Sequence, residues 1–127
     1  MQNLEQIRAK NALKFLENDP FNKNKKAGKN DGDGEEQGSG DVLSGFPSLI
    51  INNGLLATVA FSIAKKGNYQ KIYDAISIHL KDKDIGLLPA NVELVEHLTK
   101  SDSTQLRLCT AEALAYLAYL KRFGKKE

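Results

Sequence analysis

The sequence predicts an all-α protein, a compact bundle of about five helices with a long flexible loop after the first helix. Three observations predict it. Apolar residues recur at three- and four-residue spacing through most of the chain. No stretch alternates strongly enough to read as a strand; Ser48 to Ile51 comes nearest and runs straight into a helical pattern. One segment, 19–41, is nearly free of aliphatic side chains and carries five glycines between Gly28 and Gly40. The 127 residues suit one domain, 1–127, built around one core.

The first helix is predicted over 3–18. Leu4, Ile7, Ala12 and Leu16 form its stripe, Asn3 suits the N-cap, and Asp19-Pro20 stops it. The acidic, glycine-rich insert at 19–41 cannot bury enough apolar surface to offset its ordering entropy, which predicts a mobile loop. A central helix follows over 46–66, with Pro47 at its first position and Asn52-Asn53-Gly54 as its weak point. Its apolar faces predict a buried core helix, and Ala57, Ala60 and Ala64 leave room for another helix to approach closely. Gly67 is expected to end it.

A third helix, 68–81, has Asn68 as its cap and Ile72, Ala75, Ile76 and Leu80 as its stripe. After the Gly86 and Pro89 break, 91–99 forms a short fourth helix with Val92, Val95 and Leu98 inward. The last helix spans 103–123. Asp102 and Gln105 resemble a capping box. Leu106, Cys109, Ala113, Leu117 and Leu120 make one stripe; with Leu108, Ala111, Ala115 and Ala118 also apolar, this helix is expected to be largely buried.

Composition excludes several classes. Hydrophobic residues at 41% and charged residues at 27% exclude a wholly disordered chain. The net charge of +2 is too small to imply a nucleic-acid partner by itself, but its distribution is uneven. Residues 19–41 carry four cations against six acids, whereas 42–127 carry eleven against eight, which permits a basic surface on the folded part. The lone Cys109 cannot form an internal disulfide, and MQNLEQIRAK contains no apolar signal core; both predict a cytoplasmic protein. The uncharged run from Val42 to Ala64 is long enough to span a bilayer. Pro47, Asn52, Asn53 and Gly54 within it argue against that reading.

The search for a catalytic or metal centre yields little. His79 and His97 lie eighteen residues apart, and Glu93, Glu96 and His97 match no zinc-protease spacing and read as a solvated helix face. If Asp31, Asp33 and Gly34 are set at calcium-loop positions three, five and six, Lys29 falls at position one and Gly40 at twelve, so the loop fails. Cys109 lies on an inward stripe, as a structural thiol does. The glycines of 28–40 follow no strand and lack the lysine–serine ending of a phosphate loop. No cofactor or metal is expected. Glu112, set among apolar neighbours, reads as a hydrogen-bonded or ion-paired glutamate; its alternative is the acid of an uncharacterised helical enzyme.

The basic residues remain. Lys121, Arg122, Lys125 and Lys126 cluster at the C-terminus, where cations also suit a helix dipole. Arg107 and Lys121, fourteen residues apart, share a helix face and lie ~21 Å apart at ~1.5 Å per residue, enough to span several nucleotides. Lys65, Lys66 and Lys71 surround a helix–helix turn with Tyr69 and Tyr73 interleaved, residues able to stack on bases or simply to pack.

Two segments, GFPSLIINNGLLATVAFSIAK from Gly45 to Lys65 and TAEALAYLAYLKRF from Thr110 to Phe123, resemble the small subunit of the type III-B CRISPR effector, the Cmr complex. LEQIRAKNAL, Leu4 to Leu13, fits that family's opening helix. Only the 19–41 insert departs, being longer than the family's usual first connection. The resemblance implies an all-α, non-catalytic subunit of an antiviral ribonucleoprotein. It would stand beside the backbone subunits, touch the polymerase-like large subunit, and help line the channel for guide RNA and target RNA. Self-association is a further contact to consider. By the same resemblance Arg8, Arg107, Lys121 and Arg122 fall on positions expected to contact RNA backbone or neighbouring subunits, with Lys65 and Lys66 as weaker members. The competing reading is a purely structural helical interaction subunit that never touches RNA.

Overall fold

Several helix ends in this chain have a local cause that can be named, and one is set by packing instead. The computed structural model describes residues 3–17 and 39–124, with the side chains of 39–41 left aside. Six helices follow in order: α1 (Leu4–Glu17), α2 (Ser39–Asn53), α3 (Leu55–Lys65), α4 (Asn68–Lys81), α5 (Leu94–Lys100) and α6 (Ser103–Gly124). No strand occurs among the described residues. The all-helical expectation holds, with one helix more than predicted.

The extra helix comes from Gly54. Its φ of 92° lies in the left-handed region, where a Cβ would be strained, and it divides the predicted central helix into α2 and α3. The two halves stay almost continuous, because Gly54 N–H donates to Ile50 O at 2.7 Å and Thr58 N–H donates to Gly54 O at 3.1 Å. The start of the segment is also corrected. α2 begins at Ser39, so the last residues of the expected 19–41 loop are helical, and Pro47 lies inside the helix. Lacking an N–H, Pro47 leaves the Leu43 carbonyl without its partner four residues on. Burial of Val42, Leu43, Phe46 and Ile50 outweighs that cost. The rest of the predicted loop lies outside the described residues.

At the N-terminus Asn3 and Gln6 close a reciprocal capping box: Gln6 N–H donates to Asn3 Oδ1 at 2.9 Å and Asn3 N–H to Gln6 Oε1 at 3.0 Å. Asp102 caps α6 as expected, accepting from Gln105 N–H at 2.8 Å. The cap of α4 differs from expectation. Gly67 takes the N-cap position and Asn68 is the first helical residue. α3 ends at Lys65, and the C-cap is Lys66 rather than Gly67; Lys66 N–H donates to Ser62 O while its backbone adopts φ 63°, ψ −161°.

The spine of the bundle is α6, against which α1, α2 and α4 all pack; α3 packs on α2 and α4, and α5 on α3. At the C-terminal end of α6 a Cβ placed on Gly124 would meet Leu43 Cδ2 at 3.2 Å, so glycine permits the close approach of α2. Between α4 and α5 the chain folds back at Gly86, and Leu87 and Leu88 N–H both donate to Leu80 O, which drops Leu88 into the core. α5 is shorter than predicted. It is pinned by the Tyr73 hydroxyl, which accepts from Val95 N–H at 3.3 Å and donates to Glu93 Oε1 at 3.4 Å.

Two burial expectations are corrected. Ala57, Ala60 and Ala64 of α3 face outward, with Ile51 of α2 70% exposed and Phe61 44% exposed. On α6 the predicted stripe is inward, but Leu108, Ala111 and Ala118 are exposed, so the helix is half-buried rather than engulfed. A helix apolar all round needs partners on all sides, and this fold supplies them on one. No helix among the described residues is long and apolar enough to cross a membrane.

Candidate functional site

The sequence places four charged residues on the described length of α6: Arg107, Glu112, Lys121 and Arg122. Their fates differ. Glu112 points into the bundle, whereas Arg107, Lys121 and Arg122 are exposed. The outward face of α6 thus carries cations and no carboxylate. Between the cations lie small side chains, Ala111 and Ala118, which keep the surface low. Lys65, the last residue of α3, and Lys66 in the turn after it are exposed too. Among the described residues none of these five cations forms an ion pair within the chain.

Arg8 behaves otherwise. Its Nε donates to Glu112 Oε2 at 2.7 Å and its Nη2 to Glu112 Oε1 at 2.8 Å, a bidentate pair that ties α1 to α6. Only 19% of the Arg8 side chain is exposed. Sequence reasoning grouped Arg8 with the free cations, and the structure separates it from them. The other oxygen contact of Glu112 is His79 Nε2, 2.8 Å from Oε2. His79 is fully buried and stacks on Tyr116, ring centroids 4.2 Å apart. On its far side Asn11 Nδ2 lies 2.9 Å from His79 Nδ1 and donates to Asp82 Oδ2 at 2.9 Å.

The hydrogen-bond logic of this chain of five residues assigns the tautomer. Asp82 can only accept, so the Asn11 amide must present its nitrogen, and that nitrogen then donates to His79 Nδ1. The imidazole proton therefore sits on Nε2 and is donated to Glu112. Burial is the largest influence on His79 and lowers its pKa below the ordinary 6.5, against the pull of Glu112. Burial works to raise Glu112, but the hydrogen bonds from Arg8 and His79 outweigh it and hold the carboxylate below its usual range. With both oxygens occupied and its proton lost, Glu112 is an ion-paired structural glutamate, as the sequence reading expected. Burial likewise pushes the Cys109 thiol up, as befits a core cysteine.

His79, Asn11 and Asp82 were missed as partners. The signal was present for two of them: His79 lies three residues after Ile76 on the inward stripe of α4, and Asn11 lies four after Ile7 in α1. A polar residue at a core position asks for a partner, but its identity, 68 residues away in the case of Asn11 and His79, is not encoded locally. Tyr73, considered as a base-stacking residue, is instead buried and holds α5. Among the described residues no group of three or more histidine, cysteine or acidic side chains is placed to hold a metal ion.

The family model for the CRISPR-associated protein Cas_Cmr5 matches residues 4–127. The chain belongs to that family, the small subunit of the type III-B Cmr complex. The match runs through all six helices, including α4 and α5, which the resemblance read from sequence did not cover. Neither a curated protein nor a solved structure matches the chain. Membership carries with it a place in a complex with other Cmr subunits, and the family is a non-catalytic one.

Proposed function

We propose that this chain is a non-catalytic subunit that lines the guide and target RNA channel of its complex and bridges neighbouring subunits, acting in the cytoplasm in antiviral defence. One observation carries the reading. α6 turns its only carboxylate inward and leaves Arg107, Lys121 and Arg122 on an exposed face, with no ion-pair partner among the described residues. Exposed cations ~21 Å apart on one helix suit a phosphate backbone, which is recognised by charge and spacing rather than by sequence. Lys65 and Lys66 form a second exposed pair. Arg8 contributes through the rim of a guanidinium already held by Glu112, so its role is to fix α1 against the RNA-facing helix. The backbone and polymerase-like large subunits are the protein partners this reading names.

The test replaces Lys121 and Arg122 by Ala and measures target-RNA binding by the assembled complex across a salt series. Loss of two phosphate contacts should weaken binding and flatten the slope of log K against log salt by about 1.4 for a single strand. Unchanged affinity and slope would reject RNA contact by α6. The second reading, contact with protein alone, is favoured by the exposed uncharged surface of α2 and α3. Photocrosslinking RNA to α6 peptides within the complex separates the two.

A further inference from the structure

Where α2 meets α3, Leu49, Asn53, Ala57, Thr58 and Phe61 line an open pocket of about 380 Å³. That volume lies in the lower part of the range of small-ligand pockets, about 300–1,000 Å³. Three features give it chemistry. Phe61, 44% exposed, supplies a flat aromatic wall, and Tyr69 meets it edge-on with centroids 5.2 Å apart and planes at 82°, which fixes the ring. Asn53 is exposed at the rim and offers an amide with both donor and acceptor. Thr58 is 2% exposed, and its buried Oγ1 has no hydrogen-bond partner among the described residues. A buried hydroxyl left unpaired is costly unless something completes it.

Charge narrows the ligand further. From Val42 to Tyr73 the chain has no acidic residue and three lysines, Lys65, Lys66 and Lys71. Lys65 follows Phe61 by four residues on α3, one turn away and ~6 Å along the axis. An aromatic wall, an amide, an orphan hydroxyl and a cation one turn on are the components of a site for an unstacked nucleobase with its phosphate. A purely apolar side chain from a protein partner would leave Thr58 Oγ1 unpaired and make no use of Asn53 or Lys65.

We propose that this pocket receives one unstacked base of a single-stranded RNA, with Phe61 as the stacking surface, Asn53 bonding the base edge and Lys65 holding the adjacent phosphate. The proposal rests on the reading of the chain as an RNA-contacting subunit, and it adds a base-stacking site remote in sequence from the α6 cations. Stacking is neutral in charge, so it should contribute affinity without contributing to the salt dependence.

The experiment uses the assembled complex and target RNA carrying 5-iodouridine, compared across Phe61→Ala, Phe61→Leu, Phe61→Tyr and the Lys121→Ala/Arg122→Ala double variant. The expected result is a photocrosslink to Phe61, a fall in RNA affinity of at least about fivefold for Phe61→Ala and Phe61→Leu, near-complete retention for Phe61→Tyr, and a salt slope unchanged in the Phe61 variants but flattened in the double variant. Phe61→Leu keeps apolar packing against Tyr69 and lacks the π-face, so it decides the matter if Phe61→Ala fails to fold. Full affinity in the Phe61 variants, with loss in the double variant, would overturn the pocket and leave RNA contact by α6 standing. Full affinity in all of them would overturn both. Loss of neighbouring subunits from Phe61→Leu complexes, with the isolated variant melting as the unmodified chain does, would make the pocket a socket for protein and overturn the base assignment.

Discussion

Two regions of the molecule invert the usual placement of charge. Between α1, α4 and α6, Arg8, Glu112, His79, Asn11 and Asp82 are joined in one hydrogen-bonded run within the bundle. Across α2 and α3, a segment without a single charge from Val42 to Ala64 leaves Ile51 and Phe61 open to solvent. The difference teaches what each region is built to meet. The polar run is satisfied internally, every member bonded to the next, so it contributes a fixed register among three helices. Among the described residues, nothing covers Ile51 and Phe61 on the α2–α3 surface.

The largest effect should come from breaking the polar run at its centre. Glu112→Ala leaves the Arg8 cation and His79 without their shared acceptor and should cost about 3–5 kcal/mol, read as a drop in the urea midpoint. A loss below about 1 kcal/mol would mean that the run is not the register device described.

Acid should weaken the same region. The folded pKa of His79 lies below its unfolded value near 6.5. The unfolded chain thus binds the extra proton first, and stability, complete above about pH 6.5, declines as pH falls through that value towards the folded one. Glu112, held below 4.5, contributes stability above that value, lost as pH drops through its folded pKa. Unfolding free energies at pH 7.5 and 5.5 should therefore differ, and His79→Gln should shrink the difference. Equal slopes in both proteins would remove His79 from the account.

A smaller gain is expected at the border of the two regions. Lys66 occupies φ 63°, ψ −161°, a conformation natural to glycine alone, so Lys66→Gly should stabilise the chain by about 1 kcal/mol in a thermal melt. The smallest stability effect belongs to the open surface. Ile51→Ser should change folding by less than about 0.5 kcal/mol, yet reduce recovery of the chain with its complex. Unaltered recovery would show that this part of the α2 surface meets no partner.

Much of the fold was legible in the sequence because helical periodicity is local. The residues predicted for α4, 68–81, match those observed, and α6 is extended by a single residue. Asp102 was recognisable as a cap because its acceptor serves a donor only three residues on. The start of α2 was not legible, since Pro47 is a good first residue of a helix and a poor ninth one, and only the packing of Val42 and Leu43 on the bundle overrides that preference. The candidate cations were all visible as residues. Which of them stay free was not, because the Arg8 partner lies 104 positions away.

By itself, then, the sequence determined the helical class, the caps at Asn3 and Asp102, the core position of Cys109 and the family to which the chain belongs. All are properties of spacing or of local donors and acceptors. The tertiary structure alone decided that Glu112 turns inward and withdraws Arg8 from the surface, and that Ala57, Ala60 and Ala64 of α3 and Ala111 and Ala118 of α6 face outward. It also brought Asn53 and Phe61 to one pocket. The physical reason is common to all three. An apolar or charged side chain has several acceptable environments, and the choice depends on which face of its helix the rest of the bundle has room to cover.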